Sequence, residues 1–521
     1  MQLQGQHVLI LGLGLSGLAM ARWCARAGAR VTVADTRAEP PQWAQLHAEW
    51  PDVALVSGPM TAELVEGTAI RAVFRSPGLS PDAVAPVVQA AQAMGLWQGG
   101  ELSLFAAALK DLQATCGYRP QVLAITGTNG KTTVTSLTGQ LVARAGKTVQ
   151  VAGNIGPTLL DTLTQAIAQA QVQAPAQAEP EAPAWAAALP EVWVLELSSF
   201  QLDSSEGFEP TAATVLNVSQ DHLDWHGSMA AYAAAKARIF GHEALMVLNR
   251  EDAQVMAMRP APVRVKLQKP MARECTLFGG DLPQRPGDFG IEVANGMTWL
   301  VRALEADETH RRRKDQEEEI HIQRLMPADA LRIRGRHNAV NALAALALAS
   351  SAGCALGPML YGLREYRGEP HRVEPIAIID GVEFFDDSKG TNVGATVAAI
   401  QGLGAERRMV VILGGEGKGQ DFTPLADPVA RFARAVVLIG RDAPLIRAVL
   451  QDPSVPLHDA HDMPAAVALA AELAHSGDAV LMSPACASFD MFDDYLHRAQ
   501  VFAQAVSGLA EAAGMAMEGG L

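Results

Sequence analysis

The chain holds 521 residues, with 41 Lys and Arg against 56 Asp and Glu, for a net charge of −15. Hydrophobic residues make up 49% and charged residues 19%, enough apolar material for packed cores, so wholesale disorder is excluded and the length predicts about three domains. The acidic balance excludes a general nucleic-acid binder, which needs a basic face, but leaves room for phosphate held locally by glycine loops.

His7–Leu11 and Val31–Ala34 read as buried parallel strands, Ala72–Phe74 as a weaker third, and Ser16 to Ala27 as the helix between the first two. Gly12-Leu13-Gly14-Leu15-Ser16-Gly17 fits GxGxxG at the strand–helix turn, and Asp35 closes the next strand eighteen residues after Gly17. Glycines there let a phosphate approach backbone N–H groups at a helix N-terminus. The motif alone fits several nucleotides, a dinucleotide cofactor of a dehydrogenase among them, or a tight turn with no ligand.

A second α/β block starts at Gln121–Ile125, with further strands at Val192–Leu197, Thr214–Asn217 and Leu245–Leu248. Thr126-Gly127-Thr128-Asn129-Gly130-Lys131-Thr132-Thr133 follows its first strand and precedes a helix, Val134 to Ala145. It is a variant phosphate loop, because Ile125 stands where a strict P-loop has glycine. Lys131 is expected to reach the β- and γ-phosphates, and the Thr132 hydroxyl to bind Mg2+. Glu196 ends an otherwise apolar strand, where a carboxylate is costly unless paired or metal-bound, so it is a candidate Mg2+ ligand. His222, in Asn217-Val218-Ser219-Gln220-Asp221-His222-Leu223-Asp224, could ligate a metal or be structural. Lys236, in AAAKAR, reads by itself as a surface lysine. Ala170–Pro190 and Ala306–Arg324 read as inserted surface loops. The uncharged stretch Ala339–Leu363 is alanine-rich and broken by Gly and Pro, so a buried helix plus a loop fits better than a membrane span. Asn338 and Asn341, three apart on one helix face, could bond a nucleobase edge, with Asn338 alternatively the N-cap.

A third block has strands at Pro375–Asp380, Met409–Leu413, Ala435–Ile439 and Ala479–Met482. Polar clusters follow them, and Arg372, Lys389 and Lys418 form a cationic set suited to phosphate or carboxylate. Five cysteines without a CxxC pair argue against a disulfide framework or a four-thiolate zinc site. Cys486 lacks a partner histidine and reads as inert. With no signal-peptide pattern, a cytoplasmic protein is expected.

GTNGKTT, LELSSFQ, DHLD, AAKARIF, RGRHNAVNALAA, HRVE, DDSKGTN, GGEGKGQDF and SPACASFD occur in one order. Together they resemble the Mur ligase family of peptidoglycan synthesis, and most of all its D-glutamate-adding branch. The resemblance spans nearly the whole chain apart from the two inserted loops and Ala106–Arg119. It implies an α/β protein of three domains: an N-terminal Rossmann-like domain (1–112) for the UDP part of the substrate, a central P-loop ATPase-like domain (113–367), and a C-terminal Rossmann-like domain (368–521) for the amino acid. It implies a monomeric, cytoplasmic, ATP-dependent ligase that binds neither nucleic acid nor membrane. Such an enzyme adds D-glutamate to UDP-N-acetylmuramoyl-L-alanine through an acyl phosphate, with Mg2+, two ions, as cofactor. A relative with another acceptor, such as a folylpolyglutamate-type ligase, is the alternative. A dehydrogenase reading leaves the GTNGKTT loop and the third block without a task.

Carried over by motif, Leu15, Ser16, Asp35, Thr36, Arg37, Ser76, Asn154, Ser198, Gln201 and His222 match the UDP-substrate site. Gly127, Thr128, Asn129, Gly130, Lys131, Thr132, Thr133, Asn338, Asn341, Arg372, Asp387 and Lys389 match the ATP site. Thr391, Lys418, Ser488, Phe489 and Tyr495 match the D-glutamate site. Lys131, Glu196, His222, Lys236 and Lys389 are the implied catalytic set. Thr132, Glu196, His222 and Lys236, the last as a carbamate, are the implied metal ligands. Tyr495 stands where the family pattern has Phe, and Gly390 where it has Ala.

Overall fold

Three α/β sheets follow one another along the chain in the computed structural model, which describes residues 3–154, 156–173, 184–262, 272–306 and 320–514. The first is parallel, in the order Ala54–Ser57, Arg30–Asp35, His7–Leu11, Ile70–Arg75, Trp97–Gly99. The second is also parallel, ordered Cys275–Phe278, Leu245–Asn249, Ala212–Val215, Gln121–Thr126, Val192–Glu196, Val149–Gly153. In the third, Glu374–Ile379 runs antiparallel at the edge of Val382–Asp386, followed by Ala479–Met482, Met409–Gly414, Ala433–Ile439 and Leu457–Asp459 in parallel. Central strands such as Val192–Glu196 are buried at every residue, which is why they read as unbroken apolar runs rather than alternating ones.

In parallel sheets the loops leaving the C-terminal strand ends face the ligand crevice. Gly12–Gly17 follows Leu11, Gly127–Gly130 follows Thr126, Ser198 follows Glu196 closely, and Asp387–Asn392 follows Asp386. The helix Glu101–Cys116 joins the first two sheets: its Phe105 ring meets Trp193 of the second sheet edge-on at 5.2 Å. The residues around that contact form one continuous apolar core shared by the first two units. An ion pair from Arg75 to Asp203 at 2.6 Å adds to the same junction.

The alanine-rich stretch is a buried helix, Arg336–Ser351, packed on Lys131–Arg144. Small side chains suit it because apolar layers lie on every side. The chain then forms a second helix, Leu356–Glu365, in place of the expected loop. Pro358 is tolerated because it sits in the first turn, whose N–H groups have no intrahelical partner. Asn338 is not the N-cap: Gly335 holds that position, and Asn338 Nδ2 instead donates to the Arg334 carbonyl at 2.8 Å.

The expected inserted loops are only partly loops. The helix Leu159–Gln173 runs into the first, with Ala170 buried, and Ala184–Ala188 forms a short 3-10 helix beyond residues 174–183, which lie outside the described residues. In the second, 307–319 lie outside the described residues, and Ile320–Pro327 is a strand. It pairs antiparallel with Met297–Glu305, which pairs with Phe289–Ala294, forming a three-stranded sheet that the sequence pattern does not announce. Two expected strands shift: Thr214–Asn217 is Ala212–Val215, and Pro375–Asp380 is Glu374–Ile379. Among the described residues no helix is long and apolar enough to cross a membrane.

Candidate active site

The phosphate loop is shaped by two glycines with positive φ, Gly127 at 156° and Gly130 at 83°. A Cβ on Gly130 would lie 2.9 Å from the movable Asn341 Oδ1, so it is the positive φ that requires glycine there. The segment after Ala212–Val215 holds the loop in place. Asn217 Oδ1 accepts the Asn129 N–H at 2.9 Å, Asn217 Nδ2 donates to the Asn129 carbonyl at 3.1 Å, and Thr128 Oγ1 accepts the Ser219 N–H at 3.0 Å. Lys131 Nζ curls over the loop and donates to the Gly127 and Thr128 carbonyls, each at 2.9 Å. Burial pulls its ammonium below the ordinary lysine value, with Arg372 acting in the same direction.

Beside the loop lies a cavity of about 300 Å³ lined by Asn129, Gly130, Thr133, Asn338, Asn341, Arg372, Asp387 and Lys389. It gathers most of the sequence-assigned ATP residues from two units. Asn341 Nδ2 donates to Asn338 Oδ1 at 3.2 Å, and both residues line the cavity. Arg372 Nη2 donates to Thr132 Oγ1 at 2.5 Å, so a cation from the third unit already touches the phosphate-loop helix. Asp387 is buried, which pushes its carboxyl up to about 7 against a 2.6 Å hydrogen bond from Ser483 Oγ. Burial and Arg372 bring Lys389 down to about 8, and its Nζ lies 3.6 Å from the centre of the Tyr495 ring.

Glu196 is 1% exposed. Its Oε1 accepts from Asn154 Nδ2 at 3.1 Å, while the enclosed Oε2 has no hydrogen-bond partner. An orphaned buried carboxylate oxygen is expensive, and a divalent cation is the partner that removes the cost. Its field reaches three lysines: Lys131, Lys236 and Lys389.

Lys236 is not a surface residue; it is 1% exposed. Its Nζ donates to the Gly127 carbonyl at 2.8 Å and lies 4.5 Å from the Tyr232 ring centre. Burial, reinforced by Lys131, holds its ammonium well below the ordinary value despite Asp221 and Glu196. The helix Met229–Ala237 aims it inward; isolated in sequence, an alanine-flanked lysine gives no sign of that.

His222 has φ 52° and its Nε2 lies 3.6 Å from Asp221 Oδ2. Burial lowers its pKa against the pull of Asp221, with Lys131, Lys236 and Lys418 assisting, so the neutral, ligating form is favoured.

The glycine turn of the first unit opens on a separate cleft of about 500 Å³ lined by Leu15, Ser16, Asp35, Thr36, Arg37, Ser76, Asn154 and Gln201. Asp35 is committed within the protein. It accepts from Leu13 N–H at 2.8 Å and from Arg37 Nε and Nη2, each at 2.8 Å, and the Arg37 bond above all holds its pKa at about 2. Ser198 and His222 are not among the residues lining this cleft. Ser198 instead caps its helix reciprocally with Gln201, its Oγ accepting the Gln201 N–H at 3.2 Å.

In the third unit Lys418 Nζ lies 5.5 Å from the centre of the Phe489 ring, which is 63% exposed. Ser488 is buried, Tyr495 opens the last helix beside Lys389, and the Thr391 N–H bonds the Lys389 carbonyl at 2.8 Å. Cys486 is fully buried and its thiol is pushed up to about 12, as befits an inert residue.

Sequence reasoning missed Asn392. Its Nδ2 donates to Asn129 Oδ1 at 3.0 Å while its Oδ1 accepts from Asn129 Nδ2 at 3.1 Å, a reciprocal amide pair joining the phosphate loop to the third unit. Its Oδ1 also caps the helix Val393–Gly404 through the Ala395 N–H. The motif DDSKGTN contains it, but nothing local distinguishes a cap from an interdomain bond. Tyr232, whose hydroxyl meets Thr128 Oγ1 at 3.2 Å, was missed because nothing in its alanine-rich helix marks a buried hydroxyl.

Three family models match the chain. They are the Mur ligase MurD-like N-terminal domain over residues 6–98, the Mur ligase middle domain over 125–274, and the Mur ligase glutamate ligase domain over 371–486. The UDP-N-acetylmuramoylalanine–D-glutamate ligase of Albidiferax ferrireducens is 70% identical over 99% of both chains. The protein of that name from a Polaromonas species is 57% identical over 99% of this chain and all of the other. The fold is similar to the crystal structure of MurF ligase from Thermotoga maritima in complex with ADP, at a TM-score of 0.54 and 15% identity, covering 98% of this chain and 96% of that one.

Proposed function

The chain belongs to the Mur ligase family, and from that premise we propose that it joins D-glutamate to UDP-N-acetylmuramoyl-L-alanine at the expense of ATP. One observation carries the reading: Lys131 and Lys236 of the second unit both donate to the Gly127 carbonyl of the phosphate loop, at 2.9 and 2.8 Å, and Arg372 of the third donates to Thr132 beside it. Cations from two units around one phosphate loop suit a reaction in which polyanions must meet.

The first step brings the substrate carboxylate to the γ-phosphate of ATP and forms an acyl phosphate with release of ADP. At 4 Å each like-charge pair costs about 4 kcal/mol at an effective dielectric of 20. Lys131 and the loop N–H groups hold the transferred phosphate, with Arg372 and Lys389 closing from the third unit. Asn338 and Asn341 offer amide groups to the adenine edge. Thr132, Glu196, His222 and Lys236, the last as its carbamate, would hold two Mg2+ ions, and the orphaned Glu196 oxygen fits that role. Bound there, Mg2+ supplies the positive charge that offsets carboxylate–triphosphate repulsion.

The second step is attack by the D-glutamate amine on the acyl carbon, expelling phosphate. Lys418, Thr391, Ser488, Phe489 and Tyr495 are the groups we assign to D-glutamate. The cleft of Leu15, Ser16, Asp35, Thr36, Arg37 and Ser76 is assigned to the uridine diphosphate end, with Asn154, Ser198, Gln201 and His222 toward the muramoyl-alanine end. We further propose the domain division 1–112, 113–367 and 368–521, and a monomer acting in the cytoplasm, because one chain supplies every group named.

The test is an amino-acid panel with the purified protein. Phosphate release should require UDP-N-acetylmuramoyl-L-alanine and D-glutamate together. Release with L-lysine in place of D-glutamate, or with a folate in place of the UDP substrate, would assign the chain to another acceptor.

A further inference from the structure

Glu101 belongs to none of the substrate, ATP or metal groups. It is 3% exposed and, among the described residues, makes no ion pair. It begins the helix Glu101–Cys116 that joins the first two sheets. Its Oε1 accepts the N–H of Leu160 at 3.0 Å, in the first turn of the helix Leu159–Gln173. The enclosed Oε2 has no hydrogen-bond partner. Burial, with Asp161 adding to it, pushes the carboxyl up to about 7. Holding a carboxyl there is costly, and the positive end of the Leu159–Gln173 helix is what offsets the cost.

The bond to Leu160 joins the two units whose residues form the walls of the 500 Å³ cleft. Ser16 belongs to the glycine turn on one side, and Thr158, which lines the other side, sits just before the turn that Glu101 caps. A cleft shared by two units keeps its width only if something fixes one wall against the other.

We propose that Glu101 is a positioning residue for the UDP-bearing substrate, tying the start of the helix that leaves the first sheet to the first turn of the Leu159–Gln173 helix and so setting the width of the cleft between the two units. This rests on the reading that the cleft takes uridine diphosphate. Glu101 touches neither ATP residues nor the acceptor residues, so its loss acts on one substrate only.

The test compares Glu101→Gln, Glu101→Asp and Glu101→Ala in the full chain, measuring kcat and the KM of each substrate. Gln keeps the reach and an acceptor oxygen; Asp keeps the charge but falls short of Leu160. The cross-unit cap predicts that Ala and Asp raise KM for UDP-N-acetylmuramoyl-L-alanine about tenfold while Gln raises it about threefold or less. KM for ATP and D-glutamate should stay within about twofold of wild type, the signature of lost uniform binding at one site. An unchanged UDP-substrate KM in Asp and Gln overturns the proposal even if Ala fails to fold, and so does a parallel rise in all three KM values. UDP alone should compete with the UDP substrate in the wild type. Absence of that competition removes the cleft assignment itself, independently of the variants.

Discussion

Carbamylation of Lys236 requires a neutral amine: the nitrogen lone pair forms an N–C bond to CO2, and a proton is released. An ordinary lysine, with a pKa of about 10.4, is only about 0.4% neutral at pH 8. Each unit of depression raises that fraction about tenfold. The structure supplies the depression through burial at 1% exposure and the nearby Lys131 cation. Its Nζ is held by a carbonyl, Gly127 O at 2.8 Å, and lies over the Tyr232 ring rather than against a carboxylate. Stripping CO2 and bicarbonate should therefore lower activity, and adding bicarbonate should restore it. Loading with 13C-labelled CO2 should give one carbamate carbon resonance that Lys236→Ala lacks. Removing a charged metal ligand worth about 3 kcal/mol lowers kcat about two hundredfold in Lys236→Ala, and acetate, a small carboxylate sized for the vacated space, should recover part of it. A CO2-free enzyme with full activity, or a Lys236→Ala enzyme within threefold of wild type, would refute the carbamate.

The Asn129–Asn392 amide pair contributes two hydrogen bonds, about 2 kcal/mol together, so its loss should weaken catalysis about thirtyfold. Asn392→Ser, which keeps a capping oxygen for Ala395 N–H, should melt close to wild type yet show that kinetic loss; Asn392→Ala should add about 1 kcal/mol of destabilisation from the missing cap. Wild-type kinetics in Asn392→Ser would remove the pair from the reaction. Cys486, with its thiol at about 12, should resist iodoacetamide at pH 8 in the folded enzyme and react on unfolding, which mass spectrometry reads directly. Rapid native-state labelling at Cys486 would contradict its burial.

The parts of the fold with the strongest local signal were legible in the sequence. Val8–Leu11 and Val192–Leu195 are apolar on both faces and read as strands without help. The sheet Phe289–Ala294, Met297–Glu305, Ile320–Pro327 was not, because its strands carry polar residues on the solvent side and its last strand begins inside a charged run. Phosphate-loop residues declare themselves because glycine is needed at positive φ. Lys236, Asn392 and Glu101 do not, since each takes its role from burial against a segment far away in sequence: 109 residues for Lys236 to Gly127, 263 for Asn392 to Asn129 and 59 for Glu101 to Leu160. Even Ser198, which its motif assigns to the substrate, spends its hydroxyl on its own helix cap.

The mechanism rests on transfer of the γ-phosphate to a carboxylate, and oxygen labelling measures that step most directly. With 18O in the carboxylate of UDP-N-acetylmuramoyl-L-alanine, turnover with ATP and D-glutamate should deliver one labelled oxygen into each orthophosphate released. Orthophosphate free of label, at full product yield, would mean that no acyl phosphate forms and that the lysines at the phosphate loop serve some other chemistry.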